Sequence, residues 1–365
     1  MADFKDELSP ELVRSIAADL ARAWDDFDGE RFAVLAVDGL DVLEMKARIR
    51  HIAAALVECM PPDAQDGARV IRSALAVGGL RGWASLPVDE YVAAAMIDQP
   101  DIGLGLLADL TSCYTAEFAV RAFIERQYDV SMQHLSAWTT HPDEHVRRLV
   151  SEGTRPRLPW GQRLNCFISD PRPTLRLLDE LFDDDSLYVR RSVANHLNDI
   201  SKDHPKLARE AARRWASAST HGDFVVRHGL RTLVKRGDLE TLSILGFDID
   251  AVITVDGVTC LTSEIEIGDE IAFEFALTAE VDARVVVDYV VYYQGASGPK
   301  AGKVFKLRVR ELYAGERVVL TRRHRFAHVA SRRIWPGVHR IEIQVNGRVR
   351  AAFEVNVIEK GAYVR

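Results

Sequence analysis

The segment "HVRRLVSEG" at residues 145–153 returns as "YVRRSVANH" at 188–196, with Val146 and Val189 standing 43 residues apart. A looser third copy, "FVVRHGLRTLVKRG", occupies 224–237. A fixed period of about 40 residues constrains a chain strongly, because one unit cannot bury its own apolar face and successive units must stack to share one. Around the copies the apolar residues keep three- to four-residue spacing. The first such run is Leu12, Ile16, Leu20, Trp24 and Phe27, opened by Ser9 as N-cap and Pro10 in the first turn. The breaks "MPPDAQDG", "DQPDIG", "THPDEH", "SDPRPT" and "SKDHPK" separate further short helices. The expectation is an all-α, HEAT-like or armadillo-type solenoid of paired helices over residues 1–240. The "VRR" arginines then sit on the second helix of each pair, which lines the concave face.

After "KRGDLETLSILGFD" the apolar period drops to two. "AVITVDGVTC", "EIAFEFALTAE", "ARVVVDYVVYYQG", "KVFKLRVREL", "GERVVLTRRHRF" and "HRIEIQVNGRVRAAFEVNVIE" alternate apolar with polar residues, and "VDG", "ASGP", "YAGE" and "VNGR" mark turns between them. Some seven strands in about a hundred residues fit an immunoglobulin-like β-sandwich over 251–365, lacking the Cys–Trp–Cys pattern of antibody domains. The whole is therefore expected to be multidomain, α then β, with the boundary near Asp250.

The chemistry available is bounded by what is missing. Cys59, Cys113, Cys166 and Cys260 lie far apart, so no metal site is expected and reduced, mostly buried thiols are. His51, His134, His145 and His196 are likewise scattered. No Gly-rich phosphate loop follows a strand, and no cofactor is expected. No apolar run reaches the length of a membrane helix and the start "MADFKDELSPEL" is polar, so the expectation is a cytoplasmic monomer. The net charge of −7 argues against a polyanionic partner, but its distribution does not: −11 over residues 1–130, +5 over 131–236 and +3 over 251–365.

The positive half contains an unusual loop, "VSEGTRPRLPWGQRL" at 150–164. Glu152 precedes Gly153, read as the C′ residue of its helix, so the carboxylate meets the negative end of the helix dipole. Asp199, in "SVANHLNDISKDHP", occupies a similar last-turn position one repeat later. The repeat offset sets Glu152 opposite Asn195 with Asp199 a turn further along, so two acids on adjacent helices share one site. The alternative is surface pairing, Glu152 with Arg148 and Asp199 as a solvated helix end. Arg148, Arg155, Arg157, Arg163, Arg190 and Arg191 surround the acids and suit phosphate oxygens, or else pair with the "DDD" run at 183–185. Trp160, between Pro159 and Gly161, either opens the next helix with its ring exposed or fills an inter-repeat gap. Glu117 falls in the first turn of a helix if Thr115 is its N-cap.

With these residues in place, "SEGTRPRLPWGQRL" followed by "DDDSLYVRRSVANHLNDISKDHP" resembles the HEAT-like repeat DNA alkylation repair glycosylases, in the AlkC branch that carries an added sandwich domain. The resemblance implies a basic cradle for double-stranded DNA and excision of cationic N-alkylated bases such as 3-methyladenine and 3-methylcytosine. It also implies that Glu152, Asp199 and Trp160 are the active-site acids and aromatic, with Glu117 a further acid. Such a base is already a good leaving group, so carboxylates need only stabilise an oxocarbenium-like sugar and direct a water. No lysine nucleophile stands out, which implies a monofunctional glycosylase. Arg322, Arg323 and Arg325 in "TRRHRF", with Arg332 and Arg333 in "SRRIWPGVH", are read as basic loops of the sandwich that grip DNA. The competing reading is a non-catalytic repeat scaffold that binds a protein or DNA.

Overall fold

The repeat period of the sequence becomes visible as three neighbouring helices. A computed structural model describes residues 4–219, 221–329, 332–359 and 361. The chain divides into two units, Met1–Gly229 and Leu230–Arg365. The first is helical: α1 Pro10–Ala23, α2 Gly29–Val37, α3 Met45–Cys59, α4 Ala64–Ala76, α5 Ser85–Ala95, α6 Pro100–Thr111, α7 Val120–Arg126, α8 Tyr128–Trp138, α9 Glu144–Gly153, α10 Asn165–Ser169, α11 Arg172–Leu181, α12 Leu187–Asp203, α13 Pro205–Ala218 and α14 Gly222–Gly229. The three sequence copies are α9, α12 and α14, and α12 packs against both of the others. Helix α11 backs α9 and α12, and α13 backs α12 and α14. The buried stripes are those the spacing anticipates: Val146, Leu149 and Val150 on α9, Val189, Val193 and Leu197 on α12, Val225 and Val226 on α14.

Local signals explain where these helices begin and how closely they approach. The Asp143 carboxylate accepts from the His145 amide at 2.8 Å, and the Ser186 hydroxyl accepts from the Tyr188 amide at 3.2 Å, so two copies open on side-chain caps. Gly153 is not a C′ residue. It is the last helical residue of α9, with Thr154 as the C-cap, and a Cβ on it would stand 2.5 Å from Val120 Cγ1. Gly229 has the same relation to Leu197, with a Cβ 2.7 Å from its Cδ2. Both glycines are there to let helices touch. Ser9 caps α1 as expected, but α1 ends at Ala23, so Trp24 and Phe27 leave the helix.

The second unit begins earlier than residue 251. It includes two short helices, α15 Arg231–Lys235 and α16 Leu239–Ile244, which the sequence reading assigned to the solenoid. Their connection to the strands is built from polar bonds. The Asp248 carboxylate accepts from the Arg284 amide at 2.6 Å, its carbonyl accepts from Asn346 Nδ2 at 2.9 Å, and Arg284 Nη1 donates to the Leu245 carbonyl at 2.9 Å. Gly237 also meets Gly347 so closely that a Cβ on Gly237 would stand 2.8 Å from the other's Cα.

The strands are β1 Ile253–Cys260, β2 Glu264–Glu266, β3 Glu270–Ala279, β4 Ala283–Tyr292, β5 Gln294–Gly295, β6 Gly298–Pro299, β7 Lys303–Leu312, β8 Arg317–Arg325, β9 Gly337–Val345 and β10 Arg348–Ile358. They form a three-stranded sheet β1-β3-β8, a five-stranded sheet β2-β10-β9-β4-β7 and a small β5-β6 hairpin. The result is an immunoglobulin-like domain with Phe273, Phe275, Tyr289, Phe326, Ile341, Ile343, Val355 and Val357 in its core. "VNGR" makes the β9–β10 hairpin, Asn346 and Gly347 both taking left-handed backbone at φ 49° and 72°. The thiols are less buried than expected: Cys166 is exposed and the other three are half-buried.

Candidate active site

The acids and arginines of the opening loop assemble into one file of alternating charge. Arg155 lies at its centre: its Nη1 donates to Glu152 Oε1 at 2.6 Å and its Nε to Asp199 Oδ2 at 2.8 Å. Glu152 also accepts from the Ser192 hydroxyl at 2.6 Å, which places it one turn before the Asn195 that the repeat offset indicates. On one side, Lys202 Nζ donates to Asp199 Oδ1 at 2.8 Å. On the other, Arg148 Nη2 is 3.9 Å from Glu152 Oε1 and its Nη1 is 2.6 Å from Glu117 Oε2. The file therefore runs Glu117, Arg148, Glu152, Arg155, Asp199, Lys202. Glu152, Arg155 and Asp199 are all buried. This is the interior version of the pairing that the sequence offered as surface decoration, and burial makes each member dependent on its neighbours.

Three expectations shift in detail. Asp199 lies in the body of α12, a turn short of its end, and is not a helix-terminal acid. Glu117 sits in the turn that precedes α7, where Thr115 Oγ1 donates to Glu117 Oε2 at 2.7 Å and accepts from Arg148 Nη1 at 3.1 Å. Trp160 does not open a helix. It occupies a turn at φ 61° with its ring 61% exposed, and α10 starts only at Asn165.

A cleft of about 790 Å³ lies over this file, lined by Glu117, Glu152, Asp89, Trp83, Tyr114 and Trp160 among others. Asp199 is not on its surface and stands behind Arg155. The cleft is walled by rings. Trp83 is 5.6 Å from Tyr114 and 6.0 Å from Phe4, and Phe4 is 6.0 Å from Trp160 in an edge-to-face pair. Arg148 lies over the Tyr188 ring at 4.9 Å.

The loop is held from beneath by a residue the sequence reading passed over. Arg121 is buried and donates to the carbonyls of Gly153 and Arg155, both at 2.8 Å, and to that of Gln162. Burial pushes this guanidinium down to about 10. Its signal was the lone charge inside the apolar run "FAVRAF". Asp89, beside Glu90 in "SLPVDEYVAAAM", was passed over too: it is 3% exposed, and both its oxygens lack a partner. Burial, with the Glu90 charge adding, pushes its carboxyl well above the usual carboxylate range. Lys46 and Lys202 were also missed. Lys46 lines the cleft and donates to the Trp160 carbonyl. Behind the file His196 is fully buried, Nδ1 2.9 Å from the Ser151 carbonyl, and burial pushes its imidazole down to about 4.

The arginines read as phosphate contacts divide into engaged and open ones. Arg155 is not available to a phosphate, because its fork is buried between two carboxylates. Arg148 is engaged likewise with Glu117, and Arg190 donates to the carbonyls of Asp184 and Asp185. The "DDD" run takes Arg147 instead, through Asp184 at 2.6 and 3.0 Å. Arg157 pairs with Asp203 at 2.8 Å on a partly exposed surface, and Arg163 and Arg191 are exposed. In the second unit Arg322, Arg323 and Arg325 are exposed on strand β8 and are not in a loop. Arg323 pairs with Glu270 at 2.9 Å, and Arg325 donates to the Gly268 carbonyl at 2.8 Å. Arg332 and Arg333 lie over the rings of Tyr293 and Trp335, at 4.1 and 4.6 Å.

Comparison with known proteins agrees with both units. Residues 254–359 match the family described as "Uncharacterised protein YhaZ, C-terminal Ig-like domain". The chain is 33% identical to the YhaZ protein of Bacillus subtilis (strain 168) over 358 residues, which is 98% of this chain and 100% of the relative. Among solved structures it is similar to the Pseudomonas fluorescens alkylpurine DNA glycosylase AlkC bound to DNA containing an abasic site analog. That likeness has a TM-score of 0.91 and 33% identity over 98% of this chain and 100% of the other.

Proposed function

The chain belongs to the family that includes YhaZ and the glycosylase AlkC, and from that premise we propose that it is a DNA glycosylase acting on alkylated bases. It hydrolyses the N-glycosidic bond of cationic N-alkylated bases in duplex DNA, 3-methyladenine and 3-methylcytosine among them, and leaves an abasic site. The observation that carries this reading is the pair Glu117 and Glu152, opening on one aromatic-walled cleft while the half-buried Arg148 and the buried Arg155 hold the two carboxylates in place.

A base that already bears positive charge leaves without being protonated, and the charge that develops on the sugar is what the protein has to meet. Glu152 is placed to do so, because it faces the cleft and is fixed by Arg155 and Ser192. A carboxylate that need not move as charge develops stabilises it most effectively. Asp199 acts through Arg155 as a positioning residue. Glu117, at the other end of the file, is placed to direct the attacking water. Trp160 presents its face to the electron-poor sugar or base. No lysine is assigned a nucleophile's part in this reading, in which the reaction ends at hydrolysis and the strand stays uncut. The exposed Arg163 and Arg191 and the half-buried Arg157 of the first unit, and Arg322, Arg323 and Arg325 of the second, contact phosphates.

The test is release of 3-methyladenine from methylated duplex DNA. Glu152→Gln and Asp199→Asn are each expected to lower the single-turnover rate by about a hundredfold or more. Undiminished release by the double variant would sink the mechanism. A wild-type chain that neither releases base nor binds DNA in a salt-dependent way would be a scaffold for another protein.

A further inference from the structure

Arg148 links the two glutamates that open on the cleft, and it holds them unequally. Its Nη1 lies 2.6 Å from Glu117 Oε2 and donates to Thr115 Oγ1 at 3.1 Å, whereas its Nη2 is 3.9 Å from Glu152 Oε1. Arg148 is half-buried, so on the proposed function a phosphate of bound DNA competes for the same N–H groups. The face of the guanidinium is covered by the Tyr188 ring, whose centroid lies 4.9 Å from Cζ. A ring face attracts a guanidinium without taking up any of its N–H groups and without adding a negative charge. A carboxylate in that place would draw Arg148 away from both glutamates. The ring is itself held. The Ser186 hydroxyl caps the turn that carries it, accepting from the Tyr188 amide at 3.2 Å, and the His145 ring packs against it at 67° with centroids 5.5 Å apart.

His145 and Tyr188 occupy the same position in two successive copies of the repeat, so the packing of α12 on α9 delivers the ring of one copy over the arginine of the copy before it. Among the described residues the Tyr188 hydroxyl has no hydrogen-bond partner, and the side chain is 39% exposed, so neither a polar bond nor deep burial accounts for an aromatic there. We propose that Tyr188 is a positioning residue: its ring keeps the Arg148 guanidinium within reach of Glu117 and Glu152 at once, and so sets how the two carboxylates face each other across the cleft. Tyr188 is not among the residues that line the cleft, so it acts through Arg148 and touches no reacting atom. Its part in base release rests on the glycosylase reading, while its hold on Arg148 does not.

The experiment compares full-length wild type, Tyr188→Phe and Tyr188→Leu in three measurements: single-turnover release of 3-methyladenine from methylated duplex DNA, affinity for a duplex containing an abasic-site analog, and the guanidinium NMR signals of Arg148, assigned by their loss in Arg148→Gln. Tyr188→Phe keeps the ring face and is expected to release base within about twofold of the wild-type rate. Tyr188→Leu keeps apolar volume without the face, so its rate is expected to fall about tenfold while its DNA affinity stays within about twofold. The Nη protons of Arg148, resolved in wild type and Tyr188→Phe, should merge in Tyr188→Leu as the guanidinium turns freely. In an Arg148→Gln background, Tyr188→Leu should slow release no further, which a merely structural role would not produce. If Tyr188→Leu melts well below wild type, Tyr188→Met takes its place and the comparison with Tyr188→Phe stands. Four results overturn the assignment: Tyr188→Leu releasing base as fast as wild type, Tyr188→Phe falling with it, an equal loss of rate in the Arg148→Gln background, or a loss of DNA affinity with the rate unchanged. Any of these, with base released by wild type, leaves the glycosylase reading standing. A wild type that releases no base removes that reading, and the Arg148 signals then decide alone: unchanged signals in Tyr188→Leu overturn the hold on the guanidinium.

Discussion

Arg155 matches two carboxylates that come from different helices, and the physics of that arrangement sets what each residue nearby can tolerate. A buried pair stripped of one partner typically costs about 3–5 kcal/mol, because an uncompensated charge remains. His196 lies against the same file and is neutral in the fold. An unfolded histidine titrates near 6.5 and this one at about 4, so between those values the unfolded chain binds a proton that the folded chain does not. Stability is therefore lost as pH falls through that window, by up to about 3 kcal/mol, and the contribution vanishes above it. Urea unfolding of His196→Gln across pH 7 to 4 should show a shallower acid limb than wild type, and superimposable limbs would mean that His196 takes up its proton while folded. At this scale the sequence was only partly legible. The repeat offset brought Glu152 and Asp199 together, because period is a property of the sequence. It could not show that Arg155 turns inward, since a side chain's direction depends on a loop that Arg121 shapes from another helix.

The loop of residues 154–164 is short, stiff and closed on itself. The Leu164 amide donates to the Pro156 carbonyl at 3.2 Å and the Gly161 amide to the Leu158 carbonyl at 3.1 Å. Within it Trp160 holds a left-handed backbone that costs a non-glycine residue about 1 kcal/mol. Since the ring is mostly exposed, little burial offsets that strain, and its position has to be explained by what it faces. Trp160→Gly is expected to raise the melting temperature by a few degrees while lowering base release by about tenfold or more. A variant that melts earlier would show the backbone to be unstrained. Element identity was the most legible level of the sequence, because caps such as Asp143 and Ser186 and the apolar spacing are local. The third copy was read too long. "FVVRHGLRTLVKRG" breaks after Gly229, the last residue of α14, and the remainder belongs to the other unit.

The boundary between units has consequences for the molecule as a whole. Leu242, Leu245 and Phe247 are buried within the second unit, and Asp248 bonds to Arg284 and Asn346 across its strands. A fragment of residues 230–365 is expected to unfold cooperatively in denaturant. One of residues 251–365 should lose several kcal/mol or fail to fold, since each large apolar side chain contributes roughly 1.5–3 kcal/mol on burial. Equal stability of the two fragments would return the boundary to residue 250. The change of period near Asp250 marked where strands begin and could not mark where the unit begins, because α15 and α16 are helical by period and fall in the same unit as the sheets.

The file at the cleft holds three acids and three bases, so its formal charge is zero. On the proposed function, the exposed arginines exchange counterions when DNA binds, and affinity falls steeply with dissolved salt. The buried centre of the file, Glu152, Arg155 and Asp199, exchanges none and is poorly screened. Ionic strength thus governs how often the protein occupies a strand, while the rate of bond cleavage once it is there is set by groups that solution ions do not reach.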